Sequence, residues 1–194
     1  MKKKWIQTKD YFIGNLGDSE LTDKILSSFP DADDDMGFRE GTVAYEEKPD
    51  HEIRNCLVAG LDVGNGNFVE SGLKRIITNV NSLIWNLDIK EEWDGNIQYT
   101  KYAGKGKHHY DWHCDNYEPG STDRILSIVY CLSKESDYSG GEFEIETSED
   151  PGSFESVHSQ KFDYGDFIVF PSSTYHRVIP LIDGVRIVMV GWML

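Results

Sequence analysis

The stretch "DFIVFPSSTYHRVIPLIDGVRIVMVGW", residues 166–192, decides the fold class of this chain. Its runs of Ile, Val and Phe are short, and Pro-Ser-Ser and Asp-Gly interrupt them. Runs of this kind are typical of β-strands, because β-branched and aromatic side chains pack well on a pleated surface. The stretch therefore predicts three successive strands, at residues 166–172, 175–182 and 185–192.

The same pattern extends upstream to Asn96. It adds five β segments, "NIQYTKYA", "HYDWHCD", "RILSIVYCLS", "GGEFEIET" and "HSQKFD", with glycine- and proline-containing turns between them. Eight short strands within about 100 residues are typical of an antiparallel double-sheet barrel or jelly roll. We therefore expect a β core over residues 94–194.

The N-terminal half predicts helices. A short one is expected within residues 17–29, before Pro30, and a longer amphipathic one at residues 66–88. Its apolar residues recur at spacings of three and four: Phe68, Leu73, Ile76, Ile77, Val80, Leu83, Ile84 and Leu87. Residues 31–52 are acidic and predict a long loop with one strand at "GTVAYE". The prediction is one mainly β (α+β) domain, residues 1–194, in which helices at 15–90 support the β core.

Composition limits the function classes. The net charge is −15, which disfavours binding to the phosphate backbone of nucleic acids. No apolar run is long enough for a membrane helix, and no apolar segment follows the basic start, so we expect no membrane association and no export. Three cysteines without paired spacing favour reduced thiols and a cytoplasmic location. The sequence does not indicate an oligomeric state.

"HYDWHCDN" contains the first candidate metal ligands. Residues i and i+2 of a strand point to the same face, so His113 and Asp115 can aim an imidazole nitrogen and a carboxylate oxygen at one point. His176, after an apolar strand, is the best candidate for a third ligand of a 2-His-1-carboxylate site. Arg186 is a lone cation in an apolar strand and matches a carboxylate partner. Taken singly, these residues also fit a polar turn, a satisfied core histidine and an ordinary ion pair.

The order of these residues carries a resemblance. "HYDWHCDN", "RILSIVYCLSKESDYSGGEFE" and "GDFIVFPSSTYHRVIPLIDGVRIVMVGW" resemble the 2-oxoglutarate/Fe(II)-dependent oxygenases, in particular the prolyl 4-hydroxylase-like branch with the PKHD-type hydroxylases. The resemblance covers residues 99–192 and implies a double-stranded β-helix, a cupin-like jelly roll.

The resemblance also implies roles for individual residues. His113, Asp115 and His176 would be the iron ligands and catalytic residues, and Arg186 would bind the C5 carboxylate of 2-oxoglutarate. Tyr102 and Tyr110 match tyrosines that reach the cosubstrate or the metal, and Trp192 matches a tryptophan on the substrate side; core packing is the competing reading of Trp192. Cys131 stands where prolyl hydroxylases often have a tyrosine.

The implied activity is hydroxylation of a C–H bond with Fe(II), 2-oxoglutarate and O₂, with ascorbate as a candidate reductant. We expect the substrate to be a prolyl residue in a peptide or protein, held at a mouth lined by Tyr110, Trp112, Tyr117 and Trp192. A free amino acid or other small molecule is the leading alternative substrate. The competing classes are a non-catalytic cupin-like binding module, a nucleic-acid demethylase and a zinc hydrolase.

Overall fold

A computed structural model describes residues 6–16, 20, 22–24, 37–42, 49–61, 68–116 and 123–194. Positions 20 and 22–24 are helical, while the rest of the expected short helix, the strand expected at "GTVAYE" beyond residue 42, and Tyr117 lie outside these ranges. One long helix is described, α1 (Phe68–Ile84), together with two 3₁₀ turns at Gly104–Gly106 and Glu135–Asp137.

The described strands follow in chain order. They are β1 (Ile6–Gln7), β2 (Phe12–Asn15), β3 (Arg39–Glu40), β4 (Arg54–Asn55), β5 (Leu57–Leu61), β6 (Ile97–Ala103), β7 (His109–His113), β8 (Leu126–Cys131), β9 (Tyr138–Gly140), β10 (Phe143–Glu146), β11 (Val157–Gln160), β12 (Asp166–Pro171), β13 (His176–Val178) and β14 (Leu181–Met193).

These strands form two antiparallel sheets. In the major sheet the order is β1-β2-β12-β8-β14-β6-β5-β3, with β9 also paired to β14. In the minor sheet the order is β11-β10-β13-β7-β4. The two sheets form a double-stranded β-helix, as predicted.

Helix α1 covers the outer face of the major sheet, as the amphipathic pattern predicts. Leu73 and Ile77 of the helix are buried in one cluster with Ile128 and Met189 of the sheet. The two ends of the apolar pattern differ from expectation, because Phe68 is 51% exposed and Leu83 is 63% exposed. At the C-terminal end, the side chain of Asn81 bonds to the backbone of the chain leaving the helix and takes a buried position instead.

The inner face of the major sheet packs toward the minor sheet. Along β14, Ile187 and Met189 belong to the outer cluster, whereas Val188 and Val190 pack in the inner one. This alternation is the period of two that a strand imposes. It also directs Arg186 to the inner face, in step with Val188 and Val190.

Two features of the sheets differ from the predictions. Asp183-Gly184 does not end a strand, because β14 continues through it for 13 residues and bends at Gly184, whose φ is +77°. A side chain at Gly184 would lie 2.0 Å from the carbonyl oxygen of Asp137, so the bend requires glycine. In addition, β2 and β5 extend the major sheet from an N-terminal region that was expected to supply helices.

Within the described ranges, every helix is too short or too polar to span a bilayer.

Candidate metal and cosubstrate site

Three sequence-predicted ligands meet on the minor sheet. His113 ends β7, Asp115 follows two residues later, and His176 begins β13, directly opposite His113 in the register of the two strands. One ligand atom from each residue lies within 4.8 Å of the other two. The Nε2 atoms of His113 and His176 lie 3.8 and 3.7 Å from the two oxygens of Asp115. These three groups can therefore share one metal ion.

Both imidazoles are oriented by backbone hydrogen bonds. The Nδ1 atom of His113 lies 2.7 Å from the carbonyl oxygen of Asp111, and that of His176 lies 3.0 Å from the carbonyl oxygen of Thr174. A carbonyl oxygen only accepts hydrogen bonds, so Nδ1 carries the proton in each ring. Each Nε2 is left with its lone pair toward the common point, which is the arrangement seen for metal-bound histidines.

Burial also favours the ligand form of His113. Burial, and next the neighbouring His176, lower the pKa of His113 to about 3, so the ring is neutral at pH 7. The aromatic rings of Phe143 and Phe170 pack against His176, with ring centroids 5.4 and 4.6 Å away. The second imidazole is thus fixed by packing as well as by its hydrogen bond.

Asp115 is 8% exposed and is held by two buried serines. The hydroxyl of Ser127 donates to Asp115 Oδ2 at 2.6 Å, and the hydroxyl of Ser172 lies 2.9 Å from that of Ser127. The backbone N–H of Asp115 donates to the carbonyl of Ser172 at 2.8 Å. Burial raises the pKa of Asp115, but the two histidines and the hydrogen bonds outweigh it, so the net shift is downward. The carboxylate is therefore ionised at neutral pH.

Arg186 is the most deeply buried cation near these ligands. It is 1% exposed, and among the described residues its guanidinium forms no ion pair and no well-formed hydrogen bond, although it lies beside the hydroxyl of Tyr138. It lines the same cavity of about 500 Å³ as the two histidines and Asp115. An unpartnered buried guanidinium is costly, and a carboxylate is its best match, because the planar fork can form two parallel hydrogen bonds.

Tyr102 and Tyr110 also line this cavity. Tyr102 is opposite Arg186 in the register of β6 and β14, with its ring 5.5 Å below the guanidinium carbon. Tyr110 stacks on His113 at a centroid distance of 3.5 Å, and Arg54 lies 4.5 Å above the Tyr110 ring. Burial raises the pKa of Tyr110 to about 12, so its hydroxyl is a donor at neutral pH.

Trp192 and Trp112 also line the cavity. The guanidinium of Arg124 lies 4.0 Å above the Trp192 ring, and the buried indole nitrogen of Trp192 interacts with the carboxylate of Asp115. Trp112 packs against Phe154 and lies under Arg177, which pairs with Glu144. Trp192 therefore faces the cavity rather than only the core.

Several lining residues have no role in the sequence-based interpretation. They are Arg54, Gln98, Thr100 and Arg124, together with Ser127 and Ser172 behind Asp115. Ser127 is a small polar residue within the otherwise apolar strand β8, the same kind of signal that singled out Arg186, whereas β6 around Thr100 is of mixed polarity. His108 and His109 are half-buried, and neither belongs to the described group of metal-ligating residues.

The residues present fit Fe(II) and 2-oxoglutarate. Two neutral imidazoles and one carboxylate are the donor set of the 2-His-1-carboxylate iron sites, which leave positions open for other ligands. The unpartnered guanidinium of Arg186 lies in the same cavity and suits the distal carboxylate of a dicarboxylic acid.

Known proteins are similar over the same region. Residues 97–194, half of the chain, match the sequence profile of the 2OG-Fe(II) oxygenase superfamily. A PKHD-type hydroxylase of Prochlorococcus marinus strain MIT 9515 is 36% identical over 120 residues, covering 62% of this chain and 49% of that protein. Another, from a second strain of the same species, is 29% identical over 149 residues, covering 77% of this chain and 61% of that protein. The chain thus spans about half to three fifths of the length of these two relatives.

Solved structures show the same fold. A prolyl-4-hydroxylase from Pseudomonas putida superposes with a TM-score of 0.73 at 16% identity and covers 95% of this chain and 92% of that one. A prolyl hydroxylase from Trichoplax adhaerens, in complex with a peptide fragment of the hypoxia inducible factor oxygen degradation domain, has a TM-score of 0.65 at 20% identity. That match covers 96% of this chain and 84% of that one.

Proposed function

Because the chain belongs to the 2OG-Fe(II) oxygenase superfamily, we propose that it is a 2-oxoglutarate- and Fe(II)-dependent dioxygenase that hydroxylates a C–H bond. The observation that carries this proposal is the unpartnered guanidinium of Arg186 in the cavity that also holds His113, Asp115 and His176. A zinc hydrolase or a cupin-like binding module would need no buried cation in the cavity of the metal ligands.

Each group of the cavity has a part in this function. His113, Asp115 and His176 hold the metal, and Arg186 binds the distal carboxylate of the cosubstrate. When bound, Fe(II) and 2-oxoglutarate supply the chemistry by which O₂ hydroxylates the substrate while 2-oxoglutarate becomes succinate and CO₂. Tyr102 and Tyr110 donate hydrogen bonds toward the cosubstrate side of the cavity. Trp192, held under Arg124, borders the substrate.

The proposed substrate is a prolyl residue of a peptide or protein. Support comes from the prolyl hydroxylase names of the similar structures, one of which holds a peptide. The aromatic rings of Tyr110, Trp112 and Trp192 line the cavity, and flat rings can hold a proline ring by apolar contact. Tyr110 stacks on the candidate ligand His113, so a proline ring held against these aromatic rings would lie beside the metal ligands.

A free amino acid is a second candidate, and Arg54 favours it. Arg54 lines the cavity and donates to three uncharged acceptors, the carbonyl of Thr42, the amide oxygen of Gln98 and the sulfur of Cys56. Among the described residues it pairs with no carboxylate. A guanidinium with N–H groups to spare beside the metal ligands suits the α-carboxylate of an amino acid.

Production of succinate from 2-oxoglutarate tests both candidates. The full chain, with Fe(II) and ascorbate, is expected to release succinate faster with proline-containing peptides than without a substrate. His176→Ala should abolish the reaction, and Arg54→Gln should leave peptide-stimulated turnover largely intact. Stimulation by free amino acids alone, lost in Arg54→Gln, would establish the second candidate. Absence of succinate under every condition would contradict the dioxygenase proposal.

The proposal also covers the domain organisation, the location and one disfavoured substrate class. We propose that the chain acts as one oxygenase domain, because helix α1 and the N-terminal strands share a buried cluster with the β core. The three cysteines are free, and two of them are buried, which suits a reducing, cytoplasmic location. A nucleic-acid substrate is disfavoured by the net charge of −15.

A further inference from the structure

Phe154 is an exposed aromatic side chain beside the mouth of the cavity. Its ring packs against those of Trp112 and Tyr175, with centroid distances of 4.6 and 5.7 Å. Both neighbours line the cavity, and each directly precedes a candidate metal ligand in the chain, His113 and His176. Phe154 is 38% exposed and lies next to these two rings, outside the cavity lining. A polypeptide whose target residue enters the cavity would therefore meet the Phe154 ring just outside.

The backbone conformation at Phe154 is strained. Its φ is +54°, in the left-handed region that glycine and asparagine tolerate and bulky side chains rarely adopt. Strained positions of this kind persist where the surrounding structure enforces them, and they cluster at active sites and ligand clamps. A smaller residue would suit the backbone better at this point, so the presence of phenylalanine favours a role for its ring.

Glu146 enforces this conformation. It ends β10 and is 5% exposed, and its carboxylate accepts hydrogen bonds from the backbone N–H groups of Gly152 and Phe154 at 2.8–2.9 Å. Among the described residues Glu146 forms no ion pair. A buried charge needs compensation, and here the backbone donors of the loop 147–156 supply it through charge-assisted hydrogen bonds. Glu146 therefore fixes the part of the loop that carries the exposed ring.

The segment around Phe154 is acidic. Residues 147–157 contain no lysine or arginine and have three exposed acids, Glu149, Asp150 and Glu155. Within the described ranges, none of these acids forms an ion pair. In the same aromatic group, the guanidinium of Arg177 already lies 4.7 Å from the Trp112 ring, which shows that these rings can take a cation on their π face. A second cation on the Phe154 ring would meet negative charge that is not yet compensated.

We propose that Phe154, held in place by Glu146, binds a lysine or arginine side chain that flanks the hydroxylated residue of a peptide substrate. This inference rests on the proposed peptide hydroxylase function. The apolar stem of the basic side chain packs on the ring, and its cation lies over the ring face or beside the carboxylates of the loop. Glu146 is a positioning residue, because it acts through Phe154.

Steady-state succinate release by the full chain, with Fe(II), 2-oxoglutarate and ascorbate, tests this inference. The substrates are glycine- and serine-based proline peptides with a lysine, a norleucine or a glutamate at one to three residues from the proline. Norleucine keeps the apolar stem of lysine without its charge. We expect KM for the best lysine peptide to be about 5- to 10-fold lower than for its norleucine counterpart, at similar kcat. This ratio should approach one in about 0.5 M NaCl, because exposed charges are screened.

Substitutions separate the role of the ring from that of the fold. Phe154→Asn removes the ring and tolerates the left-handed backbone, so it should fold like the wild type, measured by circular dichroism, and lose the lysine preference. Glu146→Gln has an amide group in place of one acceptor oxygen, so it should raise KM for the lysine peptide more than for the norleucine peptide. Phe68→Asn, at an exposed phenylalanine of α1, is the matched control and should keep the preference. Fluorescence anisotropy of the labelled peptides with the Mn(II)-loaded chain gives the same comparison without turnover.

The outcomes separate this inference from the proposed function. Stimulation of succinate release with equal KM values for lysine and norleucine peptides overturns the basic subsite and leaves the hydroxylase proposal standing. A preference for glutamate, or a lysine preference that survives in Phe154→Asn, does the same. Stimulation by free amino acids and by none of the peptides overturns the peptide substrate and this inference together.

Discussion

Replacement of Ser127 by alanine should weaken metal binding although Ser127 is not a ligand. The Ser127 hydroxyl is fully buried and donates to Asp115 Oδ2 at 2.6 Å. Because that proton is committed to the carboxylate, the Ser172 hydroxyl must donate to Ser127 across their 2.9 Å contact. The two serines therefore form a short relay that orients Oδ2 of Asp115, beside His176, and leaves Oδ1 toward His113.

The size of the effect follows from this geometry. A hydrogen bond to a charged group contributes about 1.5–3 kcal/mol, and alanine leaves no donor in its place. Loss of a residue that orients a metal ligand typically weakens metal affinity by about 10- to 100-fold. At about 1.4 kcal/mol per tenfold change, the two ranges agree. We therefore expect the dissociation constant for Mn(II) to rise about 10- to 100-fold in Ser127→Ala.

Calorimetric titration of the apo protein with Mn(II) at constant pH measures this change. Ser133→Ala is a matched control, because Ser133 is also buried but accepts a hydrogen bond from the backbone N–H of Ile187, away from the metal ligands. It should lower the stability without changing the Mn(II) affinity. An affinity for Mn(II) in Ser127→Ala within about twofold of the wild type would refute the reasoning.

Three further perturbations test the structure. Arg186→Met should bind 2-oxoglutarate at least about 100-fold more weakly. It should also raise the free energy of unfolding of the apo protein by about 1–3 kcal/mol, because a buried cation without a carboxylate partner is removed, and a less stable apo variant in urea denaturation would contradict this. Gly184→Ala should lower the free energy of unfolding by about 3 kcal/mol or more, since the new side chain would meet the backbone of Asp137. The control Gly95→Ala, at φ +70° in open space, should lower it by only about 1 kcal/mol, and equal decreases in the two variants would argue against the clash. Burial raises the pKa of Cys131 to about 11, so the thiol ionises at a lower pH in the unfolded chain than in the folded protein, and the free energy of unfolding should fall by about 2 kcal/mol between pH 9 and 11. Cys131→Ala should remove that part of the decrease, and a variant with the same pH profile as the wild type would contradict the reasoning.

The β core and the metal ligands could be predicted because their signals are local. The apolar runs of β8, β12 and β14 are each long enough to indicate a strand, and the alternation along β14 assigns its two faces. His113 and Asp115 are two residues apart on one strand, so their shared direction follows from strand geometry alone. Only the meeting with His176 required the pairing of β7 with β13, which the family resemblance supplied.

Non-local partners explain what could not be predicted. β2 and β5 have only four and five residues, and the sheet that they extend is built mainly from strands far along the chain. The sequence around Gly184 predicts a turn, whereas the structure shows that the carbonyl oxygen of Asp137 occupies the space that a side chain at this position would need. Arg54 enters the cavity only because β4 pairs with β7, where it lies opposite Tyr110. Such contacts depend on which strands become neighbours, and the alternation of residues within one strand does not predict its neighbours.

The unpartnered polar groups link the fold to its function. In a sheet interior, polar side chains are normally satisfied, and exceptions are costly. Arg186 and Thr100 are two such exceptions among the described residues, and both lie on the inner face of the same two strands, beside the metal ligands. A dicarboxylate in this cavity would give the guanidinium of Arg186 the carboxylate partner that it lacks. The apo protein is therefore destabilised at the place where its cosubstrate would bind, which is why Arg186→Met is expected to gain stability while losing affinity for 2-oxoglutarate.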